Sequence, residues 1–186
     1  MKLRPRAKLA LIAALFFVPI VASLVAYRFL RPEPNANYGE LLLPPASITA
    51  HAFGRDEGGS FAFSSLKGRW ILVTSDSGAC GEACVSKLAA MRQVRLALGR
   101  NAARVERVFV VDDVRAPDRV ALAPFAGMVV ALTPAGMSLP PGPANDRAHV
   151  YLVDPLGNVM LRWPAQPELR RMFRDIERLL KASQIG

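Results

Sequence analysis

Cys80 and Cys84 are the two cysteines of a chain of 186 residues, and three residues separate them. On a helix, four positions rise by about 6 Å, which puts both side chains on one face at a separation that a disulfide accepts. The pair can therefore close as a disulfide or hold a metal jointly. Two soft thiolates select Cu(I) or Zn(II), and a nearby imidazole would complete a three-coordinate site. The alternative is a pair of buried apolar cysteines without chemistry.

The residues around the pair predict a strand, a polar loop and a helix in succession. Residues 70–74 form a short apolar run suited to a buried strand, and residues 75–79 form the loop. A helix is predicted from about residue 80 to residue 98. Its N-terminus favours a thiolate at the first cysteine, whereas the carboxylates of Asp76 and Glu82 oppose one.

The rest of residues 46–186 alternates short apolar strands with helices. In chain order, the sequence predicts a hairpin of 48–53 with 60–63, strands at 70–74 and 108–111, a short helix over 117–125, a strand at 128–132, a hairpin of 149–153 with 158–162, and an amphipathic helix opened by Pro167. Buried strands separated by helices imply parallel βα units, here finished by an antiparallel hairpin. This order predicts an α/β domain of the thioredoxin-like fold, a central mixed sheet flanked by helices.

The amino-terminal residues differ in composition from this domain. Residues 9–27 run for 19 residues without a charge, which as a helix spans about 28 Å, close to the hydrocarbon core of a bilayer. Residues 1–8 form a basic flank, which favours a cytoplasmic N-terminus, and residues 28–45 form a proline-rich spacer. The prediction is a single-pass anchor in the inner membrane of a bacterium, with the domain in the periplasm. The alternative is a cleaved signal peptide.

The positive charge of the chain does not indicate a nucleic-acid-binding protein. The formal net charge is +9, but residues 1–31 contribute six basic side chains and no acidic one, which leaves +3 for the remainder. A charge concentrated on a membrane-flanking segment explains the balance without a basic patch on the domain. We therefore expect no nucleic acid among the partners.

Four segments resemble the SCO/SenC family of membrane-anchored, thioredoxin-like copper proteins that help to assemble cytochrome c oxidase. They are LKGRWILV at 66–73, CGEAC at 80–84, RVFVVDDVRAPDR at 107–119 and HVYLVDPLGNV at 149–159. The resemblance covers most of residues 50–182, and its CxxxC spacing differs from the CxxC of disulfide oxidoreductases. It implies that Cys80 and Cys84 bind copper. Val85 departs from the family, which has proline after the second cysteine.

The third copper ligand is the point at which this sequence departs most from the family. The family's histidine lies five residues before Tyr151, where this chain has Asp146, and the nearest histidine is His149. A register shift of three residues would let His149 serve as the ligand. The alternative is that His149 is an ordinary strand residue, and His51 is expected on the surface of the first hairpin. Beside the predicted site, residues 112 and 113 are aspartates for which a capping role is expected.

Three functions remain open from the sequence. The first is a periplasmic factor of SCO/SenC type, more a metallochaperone than an enzyme, which binds copper through Cys80, Cys84 and His149. It would deliver copper to a cytochrome c oxidase subunit or another copper or thiol protein, or maintain the partner's thiols. The second is a membrane-tethered thiol–disulfide oxidoreductase, with Cys80 as attacking thiolate and Cys84 as resolving thiol. The third is a degenerate scaffold without metal.

Overall fold

The computed structural model describes residues 5–29, 37–49, 51–134 and 147–183. The chain divides into two compact units, Met1–Ala36 and Asn37–Gly186. The described part of the first unit is one helix, α1 (Pro5–Phe29). Within the described residues, no helix is both long enough and apolar enough to cross a bilayer, so the anchor predicted over residues 9–27 is not confirmed.

The described part of the second unit is an eight-stranded sheet with three helices. The elements in chain order are β1 (Glu40–Ser47), β2 (Ala52–Arg55), β3 (Ser60–Ala62), β4 (Trp70–Asp76), α2 (Glu82–Ala97), β5 (Val105–Val111), α3 (Arg119–Leu122), β6 (Val129–Leu132), β7 (His149–Val153), β8 (Asn158–Pro164) and α4 (Leu169–Ala182). The strand order is β1-β8-β7-β4-β5-β6-β2-β3. Strands β4, β5 and β6 are parallel, whereas β7 runs antiparallel to β4 and β8 antiparallel to β7. The predicted mixed α/β sheet of the thioredoxin-like fold is confirmed.

Strand β1 begins inside the residues expected to form a spacer. Glu40 and Leu41 pair with Arg162 and Leu161 of β8, and the register then shifts before Ala46. Pro44 and Pro45 fall within this shift, and β1 is an edge strand, where a missing backbone N–H costs no ladder hydrogen bond. The backbone of this run therefore extends the sheet at its edge despite the prolines.

The helix predicted over 117–125 is shorter than expected. Asp118 caps α3 by accepting from the amides of Val120 and Ala121, and the chain continues as a 3₁₀ turn over Ala123–Phe125. Pro124 lies in that turn and cannot donate a hydrogen bond to continue the α-helix.

The sheet separates two apolar clusters, and successive residues of a strand belong to one cluster and the other in turn. Residues of α2 and α4 pack on one face with Leu72 of β4 and with Val150 and Leu152 of β7. The other face carries the intervening residues Val73 and Tyr151. Successive side chains of a strand point to opposite faces, so the residue number alone fixes the side on which each β7 residue lies.

Candidate functional site

Cys80 and Cys84 form a disulfide where the loop after β4 enters α2. The Cα atoms are 5.0 Å apart, and both residues are almost wholly buried within the cluster under α2. Helix α2 begins at Glu82 and not at residue 80, because Cys80 has φ = 37°, a left-handed conformation that a residue other than glycine rarely adopts. The amide of Cys80 donates to the carbonyl of Ser77 at 3.0 Å, which closes the turn before the helix.

Gly78 fastens this loop to the segment that follows β5. Its amide donates to the Asp113 carboxylate at 3.0 Å, and its carbonyl accepts from the amide of Asp118 at 2.8 Å. A Cβ atom at this position would lie 2.1 Å from the carbonyl oxygen of Arg115, so a larger residue cannot occupy it without moving backbone. The loop before the disulfide therefore has little freedom to shift as a unit.

A buried ammonium group lies behind the disulfide loop. The side chain of Lys87, on α2, is fully buried; its Nζ donates to the carbonyls of Ser75 and Arg147, each at 2.8 Å, and pairs with Asp76 Oδ2 at 2.8 Å. Burial lowers the pKa of Lys87, and the Asp76 carboxylate partly opposes that shift. One side chain thus joins α2, the end of β4 and the residue that leads into β7.

Arg147 extends the charge cluster to the end of β5. Its guanidinium contacts Asp112 through Nε and Nη2, lies 3.5 Å from Asp113 Oδ2, and lies 3.9 Å from Asp76 Oδ1. Hydrogen bonds and the charges of these carboxylates raise the pKa of Arg147, with the bond to Asp112 as the largest contribution. We call Asp76, Lys87, Asp112, Asp113 and Arg147 the charged cluster.

Asp113 does not have the helix-capping role that the sequence predicts: the helix after β5 is capped by Asp118, and Asp113 accepts hydrogen bonds from loop amides instead. Burial favours its neutral form, but a hydrogen bond from Ser77 and those from the amides of Gly78 and Arg115 outweigh it and lower the pKa of Asp113. Asp112 instead pairs with Arg147. Neither Lys87 nor Arg147 was predicted from the sequence. For Lys87, the sequence feature that could have indicated burial is its position on the apolar face of α2, three residues after Cys84.

The structure does not bring His149 to the cysteines. His149 is the first residue of β7, and its ring lies 5.8 Å from that of Tyr151, on the face of the sheet opposite α2. Its carbonyl accepts from the hydroxyl of Thr74. Asp146, the other candidate, lies outside the described residues, and His51 is half-buried beside β2.

The donors of the site suit copper only in part. As a disulfide the two sulfurs offer no thiolate, and on reduction they would offer two soft donors on one side of α2. Among the described residues, no group of three or more histidine, cysteine and acidic side chains is placed to hold a metal ion. The third-ligand role that the sequence predicts for His149 has no support from the position of its side chain.

Similarity to known proteins is clear in the fold and low in the sequence. The chain resembles apo Sco1 from Thermus thermophilus (TM-score 0.61, 21% identity, 79% of this chain and 99% of that chain covered). It also resembles copper-bound yeast Sco1 (TM-score 0.62, 14% identity, 74% of this chain and 96% of that chain covered). A third similar structure is the thioredoxin domain of a thiol-disulfide oxidoreductase from Bacteroides vulgatus (TM-score 0.54, 16% identity, 74% of this chain and 98% of that chain covered). No curated protein matches the sequence.

These likenesses confirm the resemblance to SCO/SenC proteins at the level of the fold, and the low identities mark the chain as divergent. A family profile described as "Transmembrane-like, thioredoxin-like, C-terminal domain" matches residues 70–183, which are more than half of the chain. This match contains both cysteines, α2, the charged cluster and α4. The chain therefore belongs to the transmembrane-like, thioredoxin-like, C-terminal domain family.

Proposed function

We propose that this protein is a Sco-type thiol and copper handling factor whose working group is the Cys80/Cys84 couple. The observation that carries the proposal is the disulfide itself, closed across 5.0 Å between Cα atoms at a strand-to-helix junction. Ligand sites of open α/β sheets lie outside the carboxyl ends of the strands, which is where this junction lies. Supporting the copper part of the proposal, a yeast Sco1 of the same fold has copper bound.

The couple would alternate between a closed and an open form. A thiolate of a partner attacks the Cys80–Cys84 bond, one sulfur leaves as a thiolate, and a second thiol of the partner resolves the mixed disulfide. The partner is then oxidised to a disulfide, and Cys80 and Cys84 are reduced to two thiols. Electrons and protons balance within this exchange, and the reverse exchange with a partner that carries a disulfide closes the Cys80–Cys84 bond again and leaves that partner with two thiols.

Copper is the cargo of the open form in this proposal. Cu(I) prefers soft sulfur ligands, and reduced Cys80 and Cys84 supply two of them from Cα atoms that lie 5.0 Å apart in this structure. A thiol protein can replace these ligands one at a time, which suits the transfer of the ion to a cytochrome c oxidase subunit or another copper or thiol protein. The closed form has no thiolate and would bind no Cu(I).

We also propose a location for the domain, on the sequence alone. The uncharged residues 9–27 behind a basic flank support an inner-membrane anchor with the N-terminus in the cytoplasm and the domain in the periplasm. A reporter enzyme that is active only in the periplasm, fused after Gly186, is expected to be active. Activity of a cytoplasmic reporter at the same position, with an inactive periplasmic one, would contradict this location.

A thiol–disulfide oxidoreductase is the second candidate. Two observations favour it: the pair is a disulfide, and the described residues supply no third metal donor. Cys80, which precedes the first turn of α2, would be the attacking thiolate, and Cys84 would resolve the mixed disulfide. Catalysis of insulin reduction by the chain, without Cu(I) binding, would favour this function, whereas absence of both activities would favour a scaffold role.

Thiol alkylation of the full chain followed by mass spectrometry tests whether the couple is active. The oxidised chain is expected to take no label, and the chain treated with a mild reductant to take two, with its far-ultraviolet circular dichroism unchanged. Cys84→Ser is the matched control and should take one label at Cys80 without reductant. A disulfide that resists reduction in the folded chain, or thiols that resist alkylation after it, would identify a buried structural pair instead.

A further inference from the structure

A groove runs between α2 and α4 on the face of the sheet that they cover. Its main part is a cleft of about 690 Å³, and the apolar residues of its lining are Val94, Ala97, Leu169 and Phe173. A second cleft of about 300 Å³ continues it toward Ser86 and shares Gln93 and Leu169 with the first. We call the two together the α2–α4 groove.

The length of the α2–α4 groove matches a helix. Residues 86–97 of α2 border it, and twelve helical residues extend for about 18 Å, or roughly three turns. Hydrophobic grooves bind amphipathic helices that insert apolar side chains at positions i, i+3, i+4 and i+7. The lining of the α2–α4 groove combines apolar residues with polar and charged ones, which suits this mode of binding.

Two arginines give the rim of the groove its positive charge. Arg170 and Arg174 line it and are exposed. Within the part of the chain that the structure describes, neither forms an ion pair; Arg174 Nε donates to the carbonyl of Arg170. The acidic side chains of α4 are otherwise engaged, since Glu177 pairs with Lys181 and Asp175 accepts from the indole of Trp163. An occupant with carboxylates along its flanks would complete this rim.

We propose that the α2–α4 groove is a docking site for an acidic amphipathic helix of a partner protein. A membrane surface fits it poorly, because binding to a bilayer needs several protruding apolar side chains. Of the large apolar residues in the main cleft, Val94 is 1% exposed and Phe173 is half-buried, and Leu169 alone is exposed. A second copy of this chain would bring the same arginines against each other. The docking does not depend on the cysteines, although the groove starts two residues beyond Cys84.

The test uses the full chain in nanodiscs of a zwitterionic lipid and two labelled peptides of 18 residues. Both peptides are helical with leucine at i, i+3, i+4 and i+7, and their flanks carry glutamate in one and lysine in the other. Fluorescence anisotropy is expected to show binding of the glutamate peptide. Arg170→Glu with Arg174→Glu should weaken that binding by about tenfold or more and create binding of the lysine peptide.

The matched control reverses two exposed charges elsewhere. Lys67→Glu with Arg55→Glu changes the net charge equally and should leave binding within about twofold. Cys80→Ser with Cys84→Ser should bind the peptide like the unmodified chain, so that failure of the thiol chemistry and failure of the docking site are distinguishable. The inference is wrong if the glutamate peptide does not bind, if the control weakens it as much as the groove variant, or if the chain self-associates through the groove instead.

Discussion

Replacing Lys87 by methionine is expected to lower the free energy of unfolding by about 3–5 kcal/mol. Methionine keeps much of the apolar stem but removes the ammonium that three oxygens share. The carboxylate of Asp76 and the carbonyls of Ser75 and Arg147 would then be left without their buried donor. Urea unfolding of the full chain, followed by circular dichroism, measures the loss.

Two further variants separate the buried charge from a general effect of losing a lysine. Lys67→Met removes an exposed lysine and should change stability by less than about 0.5 kcal/mol. Adding Asp76→Asn to Lys87→Met removes the carboxylate that has lost its lysine partner and should recover part of the loss. A loss below about 1 kcal/mol for Lys87→Met would show that the ammonium does not hold the end of β4 as the contacts indicate.

The architecture of the domain could be predicted because it follows from hydrophobic pattern and order along the chain. Apolar strands of four to seven residues alternate with helical segments, which selects parallel pairing for the central strands. The edge strand β1 could not be predicted, because its prolines resemble those of a spacer. Only pairing with β8, formed by residues about 115 positions away, shows that Leu41 continues the sheet.

The cysteine pair could be predicted from spacing, but its surroundings could not. A lysine on a helix is normally solvated, and Lys87 becomes buried only because oxygens from β4 and from Arg147, two residues before β7, converge on it. The face of the sheet on which His149 lies could not be predicted either. Residues 150–153 of β7 are all buried, on both faces of the sheet, so the hydrophobic pattern does not tell whether the odd-numbered or the even-numbered residues face α2.

Hydrogen bonds and ion pairs of the charged cluster fix the backbone on both sides of the disulfide. Gly78 ties the loop before Cys80 to the segment after β5, and Lys87 ties α2 after Cys84 to the end of β4. The backbone on each side of the cysteine pair is therefore fixed by its own contacts. We expect the two thiols to keep their relative position when the disulfide is reduced, because a group that binds and releases an ion needs a fixed geometry.

Titration of the full chain with Cu(I) against a chromogenic chelator, without oxygen, tests the central claim most directly. The reduced chain should bind one Cu(I) tightly and the oxidised chain none. Cys80→Ser and Cys84→Ser should each weaken binding by about a hundredfold or more, because a hydroxyl is a hard and mostly protonated donor. His149→Ala should change the affinity by less than about twofold, since that ring lies on the other face of the sheet. A reduced chain that binds Cu(I) no better than the double serine variant would contradict the account.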